Sequence, residues 1–175
     1  MLDFGKTLIV AAHPDDEVLG CGGLIAKLIN QGEQVRVVFI AEGSSCRHNT
    51  LTDEVQEEIN FRNQCGIKAM KSLGVNTYCF YNLPCGKLDK EPLIEIAKTI
   101  EKEILDYEPT TVLTHSRNDV HNDHKVVFRA TVQATRPVGK IVKNLLSFEI
   151  LSSSEWSYTE SFKPNVFVNI TSTID

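Results

Sequence analysis

The chain has 175 residues, a formal net charge of −5, 42% hydrophobic residues and 23% charged ones. This composition excludes disordered and fibrous classes and suits one globular domain around a single core. The negative balance argues against nonspecific binding to nucleic-acid phosphates. No apolar run approaches the roughly 20 residues of a membrane span, and no basic stretch with an apolar signal core opens the chain, so a cytoplasmic protein is expected.

The first predicted element is the apolar run at Thr7 to Val10, within TLIVAAHPDDE. A short, continuous, β-favouring run suits a parallel strand covered on both faces. Pro14 pushes His13 into an extended conformation and pre-sets φ for a first helical turn, so His13 marks the end of the strand. Asp15, Asp16 and Glu17 open the helix, where acids either complement the helix dipole or supply a site. The helix continues from Val18 to Gln31 with Leu19, Leu24, Ile25 and Leu28 at helical spacing, and Gly32 stops it. Val35 to Ala41 is a second strand, Asp53 to Leu73 a long helix ended by Gly74, and Asn76 to Tyr81 a third strand. Pro92 to Tyr107 carries an apolar stripe and reads as helix, Thr111 to Thr114 as a fourth strand. A helix opened by His121-Asn122-Asp123-His124 runs to about Thr135. Asn144 to Leu151 and Val166 to Ile170 are two further β-type runs.

Alternating strands and helices predict an α/β, Rossmann-like, doubly wound and mainly parallel sheet, with strand order 3-2-1-4-5 and a further C-terminal strand. In that order strands 1 and 4 flank the switch point, where such folds bind ligands beyond the carboxyl ends of their strands. The two polar clusters follow those two strands. A catalytic zinc takes three N or O ligands and keeps one position open, so His13, Asp16 and His124 are candidate ligands.

The motifs Ala12-His13-Pro14-Asp15-Asp16-Glu17 and His121-Asn122-Asp123-His124 resemble the paired signatures of the PIG-L/LmbE-like family of zinc-dependent N-acetylglucosaminyl de-N-acetylases. The resemblance implies Zn2+ or another divalent metal on His13, Asp16 and His124, with Asp15 as general base. It implies His121 with Asp123 as an acid or oxyanion-stabilising pair. The substrate implied is an N-acetylglucosamine-type conjugate: a sugar nucleotide, glycolipid or glycoside. An amidase acting on a related sugar-thiol conjugate is the alternative. The resemblance further implies one deacetylase domain over residues 1–175, ending before the C-terminal structure that usually completes the family's substrate pocket.

Acetamide hydrolysis needs a stronger electrophile, a neutral-pH nucleophile and a protonated leaving nitrogen. A metal supplies the first two, and Asp15, beside a ligand but not itself one, can take the water proton. A carboxylate such as Asp123 bonded to His121 would favour the imidazolium. In the loop Glu42 to Arg47, Ser44, Ser45 and Arg47 are candidate contacts to sugar hydroxyls or phosphate, set against an ordinary polar turn. Asp89 and Arg136 are further substrate candidates, while His115, at the end of strand 4, reads equally well as a packed or hydrogen-bonded histidine and His48 carries less signal still.

Gly20, Gly22 and Gly23 with Glu42 imitate a dinucleotide fingerprint and raise an oxidoreductase reading. The glycines fall inside the helix, however, and carboxylates occupy the turn that a pyrophosphate would need. Close helix packing is expected of them instead. A non-catalytic sugar-binding relative is a third reading, and a homo-oligomer is left open. The five cysteines, Cys21, Cys46, Cys65, Cys79 and Cys85, form no C-x-x-C pair and read as reduced packing residues.

Overall fold

The computed structural model describes residues 2–136, 141–158 and 160–174. Its elements are β1 (Thr7–Ala11), α1 (Asp16–Asn30), β2 (Val35–Ala41), α2 (Asp53–Ser72), β3 (Thr77–Leu83), α3 (Leu93–Tyr107), β4 (Thr111–His115), α4 (Asn122–Ala134), β5 (Asn144–Phe148) and the single turn α5 (Leu151–Ser154). The five strands form one sheet in the order β3-β2-β1-β4-β5, and every neighbouring pair is parallel. The expected order therefore holds. Among the described residues no helix is long and apolar enough to cross a membrane.

The continuous apolar strands follow from covering both faces of the sheet. Leu8, Val10 and Ala12 point to one side, where Ile96, Ile100 and Ile104 of α3 and Val127 and Ala130 of α4 close over them. Ile9 and Ala11 point to the other, against Cys21, Ile25 and Leu28 of α1 and Met70 of α2. Gly20 is where α1 meets β5: a Cβ there would stand 2.4 Å from Phe148 Cδ2. Gly23 meets Ile170 in the same way, at 2.6 Å. Two of the three glycines thus serve close packing, which removes the dinucleotide reading of that stretch.

Two expectations change. Val166 to Ile170 does not form a strand; it lies along the outer side of α1, where Lys27 Nζ donates to Asn169 O at 2.9 Å. Phe167 stays 82% exposed, so the run lacks the two-sided cover that made its neighbours strands. The cysteines are all free, as expected, but only Cys21 and Cys85 are buried, whereas Cys46 and Cys65 are exposed.

Candidate metal centre

The carboxyl ends of β1 and β4 are adjacent, with Ile9 opposite Leu113 in register. β1 delivers His13, and the N-terminus of α1 delivers Asp16 beside it. α4 begins just beyond β4 and turns His121 and His124 toward the same point. His13, Asp16, Asp123 and His124 are buried, as is His115 at the end of β4.

The hydrogen bonds fix which nitrogen of each ring is bare. His13 Nε2 stands 2.9 Å from Asp123 Oδ2, and His124 Nδ1 stands 2.8 Å from Asp119 Oδ2. A carboxylate accepts, so these nitrogens carry protons, and when each ring gives up its second proton to a metal the opposite ones, His13 Nδ1 and His124 Nε2, hold the lone pairs. Both bare nitrogens lie 3.4 Å from Asp16 Oδ2. Two donors each about 2.0–2.2 Å from one tetrahedral ion stand roughly 3.3–3.6 Å apart, so these spacings are edges of a coordination tetrahedron. Asp16 Oδ2 is held in place by the His13 N–H at 2.8 Å. Two spacings of this candidate set thus suit a divalent ion, with a carboxylate behind each histidine as metal sites commonly have; ligand atoms of His13, His121 and His124, and of Asp16, His115 and His124, also gather within 4.8 Å of one another.

His115 competes with this set, since its Nε2 lies 3.5 Å from Asp16 Oδ2 and its ring stacks on His124 at 3.9 Å. The Ala12 N–H donates to that Nε2 at 2.8 Å, which occupies the lone pair a ligand would need. His115 is therefore a packed, neutral histidine: burial pushes its pKa down to about 3, against the pull of Asp16. His121 is the N-cap of α4. Its Nδ1 accepts from the Asp123 N–H at 3.2 Å, leaving Nε2–H as a donor. Burial and the charge of His124 lower its pKa, so the expected imidazolium is replaced by a neutral ring. The reason is that Asp123 is engaged elsewhere: its carboxylate accepts from Gly86 N at 2.6 Å and Leu88 N at 3.2 Å besides His13. The expected His121–Asp123 side-chain pair does not form.

Burial opposes charge on His13 and His124, but hydrogen bonds to carboxylates outweigh it. Asp123 and Asp16 hold the His13 pKa well above its usual value, and Asp119 and Asp16 raise that of His124 to about 9. The same contacts draw Asp16, Asp119 and Asp123 below the usual carboxylate range against their burial.

Asp15 stands apart from the ligand cluster. Its backbone sits at φ 142°, ψ −28°, a conformation that a non-glycine residue adopts at a cost of about 1–3 kcal/mol, and one typical of functional sites. That turn leaves its side chain half exposed above the buried Asp16. Partial burial and the Asp16 charge raise its pKa, while Arg62, whose Nη2 donates to Oδ2 at 2.7 Å, pulls it back. The neighbouring Glu17 is buried with one oxygen unpartnered, and burial pushes its pKa up to about 7.

The rim candidates divide. Ser45 is buried, and both its N–H and its hydroxyl donate to the Glu42 carboxylate, which also accepts from the Ser44 and Cys85 N–H groups. Ser45 thus ties loops together while lining a cavity of about 240 Å³ with His48, Asn82 and Lys87. Arg47 is exposed on the same loop. His48 stands 3.0 Å from Glu58 on α2. Asp89 lines a different cleft, of about 490 Å³, with Arg117, Lys125 and Arg129. Arg136 follows the C-terminal end of α4, about 20 Å of helix away from the ligands at its start, and donates to Gln133 O there. It is not part of the rim. Sequence reading missed Asp119 and Arg62; the only cue to Asp119 was an acid five residues before His124, and nothing in α2 singled out Arg62.

The chain matches the PIG-L family, described as GlcNAc-PI de-N-acetylase, over residues 8–135. It is 30% identical over 167 residues to "Uncharacterized deacetylase YaiS" of Escherichia coli, covering 93% of this chain and 80% of that one. It is 28% identical over 144 residues to "Probable N-acetyl-alpha-D-glucosaminyl L-malate deacetylase 2" of Bacillus cereus, covering 76% and 62%. Among solved structures it resembles the N,N'-diacetylchitobiose deacetylase of Pyrococcus horikoshii, with a TM-score of 0.67 and 25% identity, covering 75% of this chain. The chain spans about half, 49%, of that deacetylase.

Proposed function

Because the chain belongs to the PIG-L family of deacetylases, we propose that it is a zinc-dependent hydrolase that releases acetate and a free amine from an N-acetylglucosamine-type sugar conjugate. The observation that carries this reading is the pair of bare nitrogens, His13 Nδ1 and His124 Nε2, each 3.4 Å from Asp16 Oδ2. The set of two imidazoles and one carboxylate suits zinc and leaves a position open. A divalent ion held there supplies a Lewis acid for the acetamide carbonyl and brings the pKa of a coordinated water toward about 7.

The chain's own residues do the rest. Asp15, with its raised pKa, accepts the proton of the attacking water, and Arg62 orients the carboxylate. His121 presents Nε2–H to the oxygen on which charge develops, because its Nδ1 is fixed as an acceptor by the Asp123 N–H. Asp123 acts through His13, holding its tautomer rather than touching substrate. Arg47, exposed on the loop that leaves the rim, and Ser44 beside it are the residues assigned in this reading to meet the sugar's carrier. The single sheet covered on both faces supports one deacetylase domain over residues 1–175.

The test is acetate release from a panel of N-acetylglucosamine glycosides, glycolipids and nucleotide sugars, with zinc present and after chelation. Zinc-dependent acetate from at least one conjugate is expected. No acetate from any of them, by protein shown to hold the ion, would overturn the reading.

A further inference from the structure

Asp15 is held by its backbone as well as by its side chain. An aspartate at the cap of a helix ordinarily has an extended backbone and folds its own carboxylate back onto an N–H two or three residues on. Asp15 caps α1 with its carbonyl only, which accepts from the Val18 N–H at 3.0 Å and the Leu19 N–H at 2.9 Å, while its side chain makes no capping bond. With φ at 142° its backbone lies in the left-handed region, and the carboxylate meets Arg62 Nη2, 2.7 Å from Oδ2, rather than the helix.

The other end of that turn is tied by Glu17, whose Oε2 accepts from the Asp15 N–H at 2.9 Å. This is a capping box with only its reach-back half formed, the acid standing two residues past the cap instead of three. The N–H bond fixes the peptide plane before Asp15 and the two carbonyl bonds fix the plane after it, so φ and ψ are both determined. Strained backbone persists where its surroundings over-determine it in this way. Glu17 is fully buried, and its Oε1 has no hydrogen-bond partner. Burying a carboxylate with one oxygen unpaired opposes folding, so stability does not account for an acid at this position.

We propose that Glu17 is a positioning residue for the deacetylation: it holds Asp15 in the left-handed conformation and so keeps the Asp15 carboxylate clear of the helix and open to the attacking water. Without that acceptor the Asp15 backbone relaxes to the ordinary extended cap, and its carboxylate folds onto the first free N–H groups of α1, away from the water. The kinetic part of this inference rests on the proposed deacetylase reading; the backbone part does not.

Two variants test it. Glu17→Met keeps the length of the side chain without the acceptor, and Glu17→Gln keeps an acceptor oxygen. Zinc-replete Glu17→Met should hold one ion and keep KM within about twofold while kcat falls about 10²-fold, the effect of a small misplacement of a reacting group. Glu17→Gln should restore kcat to within about threefold of the parent, and Glu17→Met made in an Asp15→Asn background should cost less than about twofold, because the base it aims is already gone. Parental kcat in Glu17→Met, a Glu17→Gln protein as slow as Glu17→Met, or the same loss in both backgrounds overturns the positioning role. A crystal structure of Glu17→Met reads the backbone without turnover: a negative φ at Asp15 is expected, and a φ unchanged from the parent overturns the proposal. Glu17→Leu takes the place of Glu17→Met if the latter does not fold. A parent that releases no acetate from any conjugate defeats the deacetylase reading, and the Asp15 φ then decides the backbone claim alone.

Discussion

Asp119→Asn isolates the carboxylate behind His124 without changing its shape. In the parent, Asp119 Oδ2 accepts from His124 Nδ1 and Ser153 Oγ, both at 2.8 Å, while Oδ1 accepts from the His121 N–H at 2.8 Å. An amide has one acceptor and one donor end. If its oxygen stays with His121 N–H, its NH2 faces His124 Nδ1, which must then accept, and the proton moves to Nε2, where the metal lone pair is needed. If it flips, the NH2 meets the His121 N–H, donor against donor. Either way a ligand or the start of α4 is compromised. Loss of such a partner costs about 10–100-fold in metal affinity, which is about 1.4–2.8 kcal/mol. The assay is zinc competition against a chromophoric chelator at fixed pH, with the melting temperature of the metal-free variant as the folding control. A dissociation constant within about twofold of the parent, in a variant of unchanged melting temperature, would refute the claim that Asp119 sets the His124 tautomer.

Asp15→Asn should keep its zinc and lose about 10²- to 10⁴-fold in kcat, as for removal of a general base; loss of the metal itself would show that Asp15 is a ligand. Metal-free protein should lose stability as pH rises: a His124 pKa raised to about 9 contributes stability that is complete below its ordinary value near 6.5 and disappears as pH passes 9. Its melting temperature should therefore fall across that window, while zinc affinity rises as the two histidines give up protons; a flat pair of curves contradicts the charge assignment. Gly20→Ala should destabilise by about 1–3 kcal/mol in denaturant unfolding, because the added carbon meets Phe148; a neutral result would show that α1 can shift freely. Arg47→Ala should raise KM with little change in kcat on the best conjugate, and unchanged kinetics would remove it from the pocket.

The fold was legible because its central strands are covered on both faces, so β1, β2 and β4 appear as short β-type runs, interrupted only by Arg36 in β2 and by the threonines and His115 of β4, and their helices as stripes. The proposed metal ligands were legible because they sit in two short motifs at the ends of those strands. What sequence could not give is the far side of each imidazole. The Asp123 carboxylate was expected to serve its motif neighbour His121, but the loop donors Gly86 N and Leu88 N orient it toward His13, and neither donor has a side-chain signature. Asp119 and Arg62 act through the fold's juxtapositions, not through spacing. Val166 to Ile170 has the residue types of a strand, yet it lies on the helix layer, beyond the reach of the sheet edge. Arg136 was misplaced for a simpler reason, since direction along α4 decides which end meets the site.

The most direct measurement is an anomalous-difference map at the zinc edge from crystals grown with one equivalent of Zn2+. A single peak about 2.0–2.2 Å from His13 Nδ1, Asp16 Oδ2 and His124 Nε2 is expected. A peak held instead by His115 or His121, or one that leaves Asp16 out of the shell, would contradict the account.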